Sequence, residues 1–368
     1  MKISSITFIV ISLFSISILA QKANTDVTES EMKAIYEAVK TPHKYGLVLT
    51  PTDNTQKMDC PTVFKKAKKW YMSYIIYGGR GYETWLAKSN DLLHWENVGK
   101  IMSFTDTTQW DSNQKAGYVA LQDTKWAGSY ALKKYDGKYW MSYFGGNTRG
   151  YEAGDLSAGM AFTSEDPTVA HEWQRKPAPI LTAKDADVRW WENRKLFKST
   201  VIEDKKRLTG HQFVMYYNAN GDSAKNNIKT RWYERIGMAV SDNMLDWKRM
   251  INEPVVHHPV GITGDPQLQK IGDTWVMFYF GAFWKDRKGA FNRFAASKDL
   301  IHWTDWNGAN LVESSEPYDE LYAHKSYVMK YKGVVYHFYC AVNKNDQRGI
   351  AVATSKDLGK SILNFVAH

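Results

Sequence analysis

Apolar and polar residues alternate with a two-residue period in five short aromatic runs, the mark of half-buried β-strands. They are Lys69-Trp-Tyr-Met-Ser-Tyr, Lys138-Tyr-Trp-Met-Ser-Tyr, Gln212-Phe-Val-Met-Tyr-Tyr, Thr274-Trp-Val-Met-Phe-Tyr and Val334-Val-Tyr-His-Phe-Tyr. Turn dipeptides such as Asp136-Gly137, Gly272-Asp273 and Lys332-Gly333 stand just ahead of three of them, as hairpins require. A second motif follows each run. It reads Ala87-Lys-Ser-Asn-Asp-Leu-Leu-His-Trp95, Ser241-Asp-Asn-Met-Leu-Asp-Trp247 and Ala296-Ser-Lys-Asp-Leu-Ile-His-Trp303, with degenerate copies at Thr163 and Thr354. Its serines fall at 89, 164, 241, 297 and 355, a regular internal repeat. Each unit reads as strand, tight turn, strand, loop, strand, a Ser-x-Asp corner and an outer strand. Five such units predict an all-β chain, a five-bladed β-propeller. The one helical signal is Glu29 to Val39, where Thr28 and Glu31 are spaced for a capping box.

The N-terminus changes the picture of where the chain works. Lys2, an apolar stretch from Ile6 to Leu19 and the small residue Ala20 form the pattern of a secretory signal. The expected organisation is a signal over 1–20, an extension with a short helix over 21–45, and the propeller over 46–368. The expected location is outside the cell or in the periplasm, with no membrane insertion after cleavage. Two cysteines, Cys60 and Cys340, exclude a disulfide-built scaffold, and two free buried thiols are expected. The net charge of +9 is spread along the chain with no basic stripe, so nucleic acid is not an expected partner. Aromatic residues make up 14% of the chain, a richness shared by sugar-stacking clefts and propeller blades.

In a propeller the innermost strand of every blade faces the central axis, so equivalent positions converge there. Counting back from the methionine, or its equivalent, of each second strand aligns Asp59 and His324 in one slot, with Asp265 one residue later. The third unit has a longer hairpin, and matching its inner strand by pattern as Glu192-Asn-Arg-Lys-Leu-Phe-Lys puts Glu192 in the same slot. The second unit is matched at Gly128-Ser-Tyr-Ala-Leu-Lys and carries no acid there. Ionisable groups aimed at one axis are costly unless paired or used. Glycosidic cleavage uses such a set: one carboxyl kept protonated for the leaving sugar, a second ionised to activate water or attack.

At these residues the chain resembles the five-bladed glycoside hydrolases, above all family 43 arabinofuranosidases and xylosidases, and more distantly families 117, 130 and 32. The Ala-x-Ser-x-Asp-Leu-x-x-Trp signature carries the resemblance along most of the chain after residue 45. It implies a general base at Asp59 and an acid at Glu192. The blade-two acid of family 43 is missing: Trp126-Ala-Gly-Ser-Tyr stands where Trp-Ala-Pro-Asp is usual, and Asp265 is a candidate replacement. His324 has three readings: an axial structural or metal-site group, an acid as in family 117, or ordinary packing. No cofactor is required on this reading, and an axial calcium or sodium ion is an open option. Arg80, Arg149 and Trp284 follow second strands, where loops face one rim, and with Trp126, Trp191 and Arg194 they are the candidate sugar-gripping residues. The leading expectation is an exo-acting, inverting glycosidase on plant or algal oligosaccharides. The alternatives are a family 117-like anhydrogalactosidase using Asp59, Asp265 and His324, a family 130-like phosphorylase with Arg194 and Lys325 at phosphate, and a non-catalytic sugar-binding propeller.

Overall fold

A computed structural model describes residues 26–222 and 233–366; the expected signal segment lies outside the described residues. Helix α1 (Glu29–Val39) stands where the capping box placed it, with Thr28 and Glu31 exchanging hydrogen bonds. Its buried face of Met32, Ile35 and Val39 packs on Val276, Phe278 and Phe294. No described helix is long and apolar enough to cross a membrane.

The rest is β-structure in antiparallel groups. After β1 (His43–Leu49) come β2 (Lys57–Lys66), β3 (Lys69–Tyr77), β4 (Tyr82–Ser89) and β5 (Trp95–Met102), and from β2 onward each pairs with the next. The same order recurs in β6 (Gln114–Val119), β7 (Tyr139–Gly146), β8 (Ser157–Thr163) and β9 (Gln174–Arg175). It recurs again in β10 (Lys195–Glu203), β11 (Phe213–Asn220), β12 (Glu234–Ser241) and β13 (Lys248–Arg249). The next group is β14 (Ile262–Ile271), β15 (Thr274–Ala282) and β16 (Ala290–Ser297), with β17 (Thr304–Asp305) and β18 (Val312–Glu313) both on β16. The last is β19 (Tyr322–Tyr331), β20 (Val334–Val342) and β21 (Arg348–Thr354). Its outer strand is β1, so the two ends of the fold are stitched together by β1–β21 pairing. A domain boundary at residue 45 therefore falls inside a strand of the main fold.

The Ser-x-Asp corners have one repeated geometry. Ser89 Oγ accepts from the backbone of Asp91 and Leu92, Asp91 Oδ1 accepts from Leu93 and His94, and Trp95 Nε1 donates to Leu92 O. The corner at 297–303 repeats every bond. At 241–247 Asn243 takes the Asp role. Side-chain acceptors bonded to local amides make such tight turns self-supporting.

The aromatic runs form the core between groups, as their repetition predicts. Trp70 and Met72 pack with Phe338, Trp140 with Met215, and Tyr216 with Met277. Leu47 of β1 is buried against Ala351 and Ala353 of β21. Truncating it leaves a cavity at the seam that joins the chain ends. Leu47→Ala is expected to cost about 2–5 kcal/mol, read as a lower midpoint in urea unfolding; an unchanged midpoint would mean the seam does not hold the fold together.

Candidate active site

Four innermost strands carry a β-bulge at one level, and the bulges build the site. The register slips between Asp59 and Thr62, between Leu196 and Ser199, between Gly264 and Gln267, and between His324 and Tyr327. In three of them the residue entering the bulge is left-handed: Cys60 at φ 52°, Asp265 at 56° and Lys325 at 61°. Such strain in non-glycine residues is tolerated where surrounding structure over-determines it. The bulges turn Cys60, Phe197, Asp265 and Lys325 into a cavity of about 240 Å³. The first residues of three third strands, Tyr82, Glu234 and Arg348, complete its wall, with Glu152 from the loop after β7.

The sequence alignment of slots holds in part. Asp59, Gly264 and His324 are equivalent by register, and Asp265 does follow one place later. In the third group the matching residue is Leu196, not Glu192. Glu192 lies before β10 in a turn, where its carboxylate pairs with Arg249 at 2.7 Å and accepts from Tyr217 and from Arg189 N at 3.0 Å. It does not line the cavity. The pattern match of that strand was four residues out of register. The second group corrects too: its inner strand is β6, and Gly128–Lys133 belongs to the loop between β6 and β7. Ala116 pairs with Phe144 there, so that level of β6 holds no acid.

Asp59 sits behind the cavity wall, 1% exposed, with Lys325 Nζ donating at 2.6 Å and Arg348 at 3.8 Å. Burial alone would raise this carboxyl; Lys325, His324 and Arg348 override it and hold it well below the usual range. Burial by itself would likewise lower Lys325, and Asp59 leads the charges that keep it well above its ordinary value. His324 lines the cavity, with Nδ1 at 3.2 Å from Cys340 O. Burial lowers it to about 3, so the imidazole is neutral at working pH and is no proton donor of the imidazolium kind.

The two carboxyls in the cavity that sequence reasoning missed are Glu152 and Glu234. Burial pushes Glu234 up to about 8, the nearby Glu152 charge adds to the rise, and Asn218 Nδ2, donating at 2.8 Å, opposes it. Burial also raises Glu152, against the pull of Lys325 and Arg348, and Tyr82 OH donates to it at 3.4 Å. Asp265 accepts from Asn218 at 3.3 Å and from the Cys60 thiol at 3.4 Å. A signal for Glu152 existed: it stands three residues past Arg149 in a glycine-rich loop already marked as rim. Glu234 opens a third strand, a level the alignment of innermost strands did not reach.

The predicted sugar-gripping residues lie elsewhere. Arg80 bonds Asn113 at 2.7 Å and covers Phe104, and Arg149 is exposed. Trp126 packs in the cluster beside α1, and Trp191 is fully buried with Nε1 on Asn252 O. Arg194 pairs with Asp222 at the surface. Trp284 stacks on His258 at 3.9 Å and donates to Ile262 O, one residue behind the cavity-lining Phe283. Cys60 and Cys340 are free and buried, as expected.

Asp59, His324 and Cys340 bring a carboxylate oxygen, an imidazole nitrogen and a thiol sulfur within 4.8 Å of one another. Calcium binds six to eight oxygen ligands, and sodium is likewise a hard, oxygen-seeking cation. This set offers one carboxylate, and the Lys325 ammonium already stands against it. The residues do not fit calcium or sodium.

Removing Arg249 would strand the buried Glu192 charge. Arg249→Met is expected to cost about 3–5 kcal/mol of stability while the folded protein keeps any turnover at the cavity to within a few-fold, measured by denaturation and by kcat. Loss of turnover at unchanged stability would return Glu192 to the reacting machinery.

No protein-family model and no curated protein matches the chain. Among solved structures, one described as a complex of BT0996 with RGII is 51% identical, covering 92% of this chain and 99% of that one, with a TM-score of 0.88. Another, named "Glycoside hydrolase", is 50% identical over 93% of this chain and 99% of that one, with a TM-score of 0.89. A thermostable family-43 glycoside hydrolase is 17% identical over 83% and 90% of the two chains, with a TM-score of 0.56, a likeness of fold alone. With half its residues shared with a glycoside hydrolase along nearly its whole length, and with acids converging in one cavity, the chain belongs to the glycoside hydrolases of β-propeller fold.

Proposed function

We propose that the protein is an exported, exo-acting glycosidase of five blades in which Glu234 is the general acid and Glu152 the second carboxylate. The observation that carries this reading is that both line one walled cavity, where burial raises Glu234 strongly and two cations bear on Glu152. Glu234 is raised to about 8 by burial and by Glu152, so at pH 7 it is protonated by about ten to one. Glu152 faces Lys325 and Arg348, which favour its ionised form. One carboxyl kept protonated and a second under the pull of cations is the division of labour that glycosidic cleavage needs.

In the reaction, Glu234 gives its proton to the glycosidic oxygen as the bond to the anomeric carbon breaks. Glu152 takes a proton from the incoming water, and the Lys325–Arg348 pair keeps it ionised until that moment. Positive charge growing on the sugar ring is met by Glu152 and by the Asp265 carboxylate. Asp59 acts through Lys325 and Arg348 and is a positioning residue. Inversion is the working stereochemistry, with Glu152 acting on a water and not on the sugar itself. A cavity of about 240 Å³ suits removal of one terminal sugar from an oligosaccharide end.

The neighbour described as an RGII complex directs the substrate search to RGII oligosaccharides, with arabinofuranosyl and xylosyl ends first. A phosphorylase is less well supported: Arg194 is paired at the surface, and Lys325 and Arg348 are engaged by Asp59. Export remains part of the proposal, and the mature protein is expected to begin at Gln21.

Glu234→Gln and Glu152→Gln are each expected to lower kcat on a natural oligosaccharide by about 10²–10⁴-fold. With a 4-nitrophenyl glycoside, whose leaving group needs no proton, the Glu234 variant should recover most of its rate and the Glu152 variant should not. Wild-type kcat/KM should fall as pH rises through about 8, where Glu234 loses its proton. Proton NMR of the first product should show the inverted anomer. Turnover unaffected by both substitutions would refute the assignment.

A further inference from the structure

Lys198 is one of the two β10 residues that oppose a single β11 residue in the bulge. It is 2% exposed and stands in the wall between the main cavity and a smaller space of about 20 Å³. Its ammonium makes no hydrogen bond, and the Tyr118 ring lies 5.5 Å from it. The other cations lining the cavity are matched: Lys325 and Arg348 face Asp59. An ammonium carries three donors and a full charge, and a buried one without an acceptor is among the most costly groups a fold can keep. A methionine would fill the same volume at no such cost. Lysine has four rotatable side-chain bonds and here has space on either side, so a small turn brings its nitrogen into the cavity.

Formal charge indicates what it meets there. The cavity lining carries three carboxyl side chains, Glu152, Glu234 and Asp265, against three basic ones, Lys198, Lys325 and Arg348. A neutral sugar keeps that balance, and a uronic acid would break it. We propose that Lys198 is a substrate-binding residue whose ammonium donates hydrogen bonds to hydroxyl oxygens of a neutral terminal sugar in the Glu152–Glu234 cavity. The inference rests on the glycosidase assignment of that cavity.

The test compares Lys198→Met with Glu234→Gln and wild type on neutral-ended RGII oligosaccharides. Lys198→Met should lower kcat/KM by about 10- to 100-fold, the worth of a charged hydrogen bond, while its Tm stays level or rises. A kcat/KM within threefold of wild type, with Glu234→Gln inactive, would overturn the Lys198 role alone. An active Glu234→Gln would instead overturn the reading of the cavity. If the methionine variant does not fold, Lys198→Gln takes its place. Calorimetry with L-arabinose, D-xylose and D-galacturonic acid on Glu152→Gln should show binding of a neutral sugar that the added Lys198 substitution abolishes. Tighter binding of the uronic acid would overturn the neutral-sugar clause.

Discussion

The buried ion pair between Asp59 and Lys325, with Arg348 beside it, is the interaction on which the site depends. Asp59 stands before a bulge of the first innermost strand and Lys325 within the bulge of the last, so their contact crosses between strand groups at the axis. Two charges taken from water stay ionised only in close, well-aligned contact. Asp59 thereby supports a fixed positive edge on a cavity that also holds Glu152, Glu234 and Asp265. That edge biases Glu152 toward ionisation, and Glu152 in turn raises Glu234. One electrostatic chain thus runs from a residue outside the cavity to the proton used inside it.

The bulges explain how a regular repeat yields an irregular site. Each adds a residue to an innermost strand and forces a local turn of the backbone, so side chains that would alternate between neighbours are swung to the axis. What differs between groups at that level, Cys60, Phe197–Lys198, Asp265 and Lys325, is the chemistry. What is shared, the aromatic runs and the Ser-x-Asp corners, is the frame.

Most of the frame was legible in the chain. The runs around Met72, Met141, Met215 and Met277 are second strands, the corners at Ser89, Ser241 and Ser297 bond as turns, and the helix lies at Glu29–Val39. Asp59, Asp265 and His324 were found near the axis because counting from a repeated strand pattern works where hairpins are equally long. It failed at 128–133, where a loop imitates a strand, and the pattern match used in its place for the longer β10–β11 hairpin fell four residues off at Glu192. Glu152 and Glu234 were hidden for a different reason. They reach the cavity from a loop and from the start of a third strand, and only packing between groups brings those positions together.

The central claim is that Glu234 carries the proton because it is buried, with the Glu152 charge adding to the rise. Carbon-13 NMR of labelled glutamate carboxyls, titrated in wild type and in Glu152→Gln, measures this directly. The account predicts a Glu234 signal titrating near 8 that moves down when the Glu152 charge is removed. A Glu234 carboxyl that titrates with the ordinary glutamates in both proteins would contradict it.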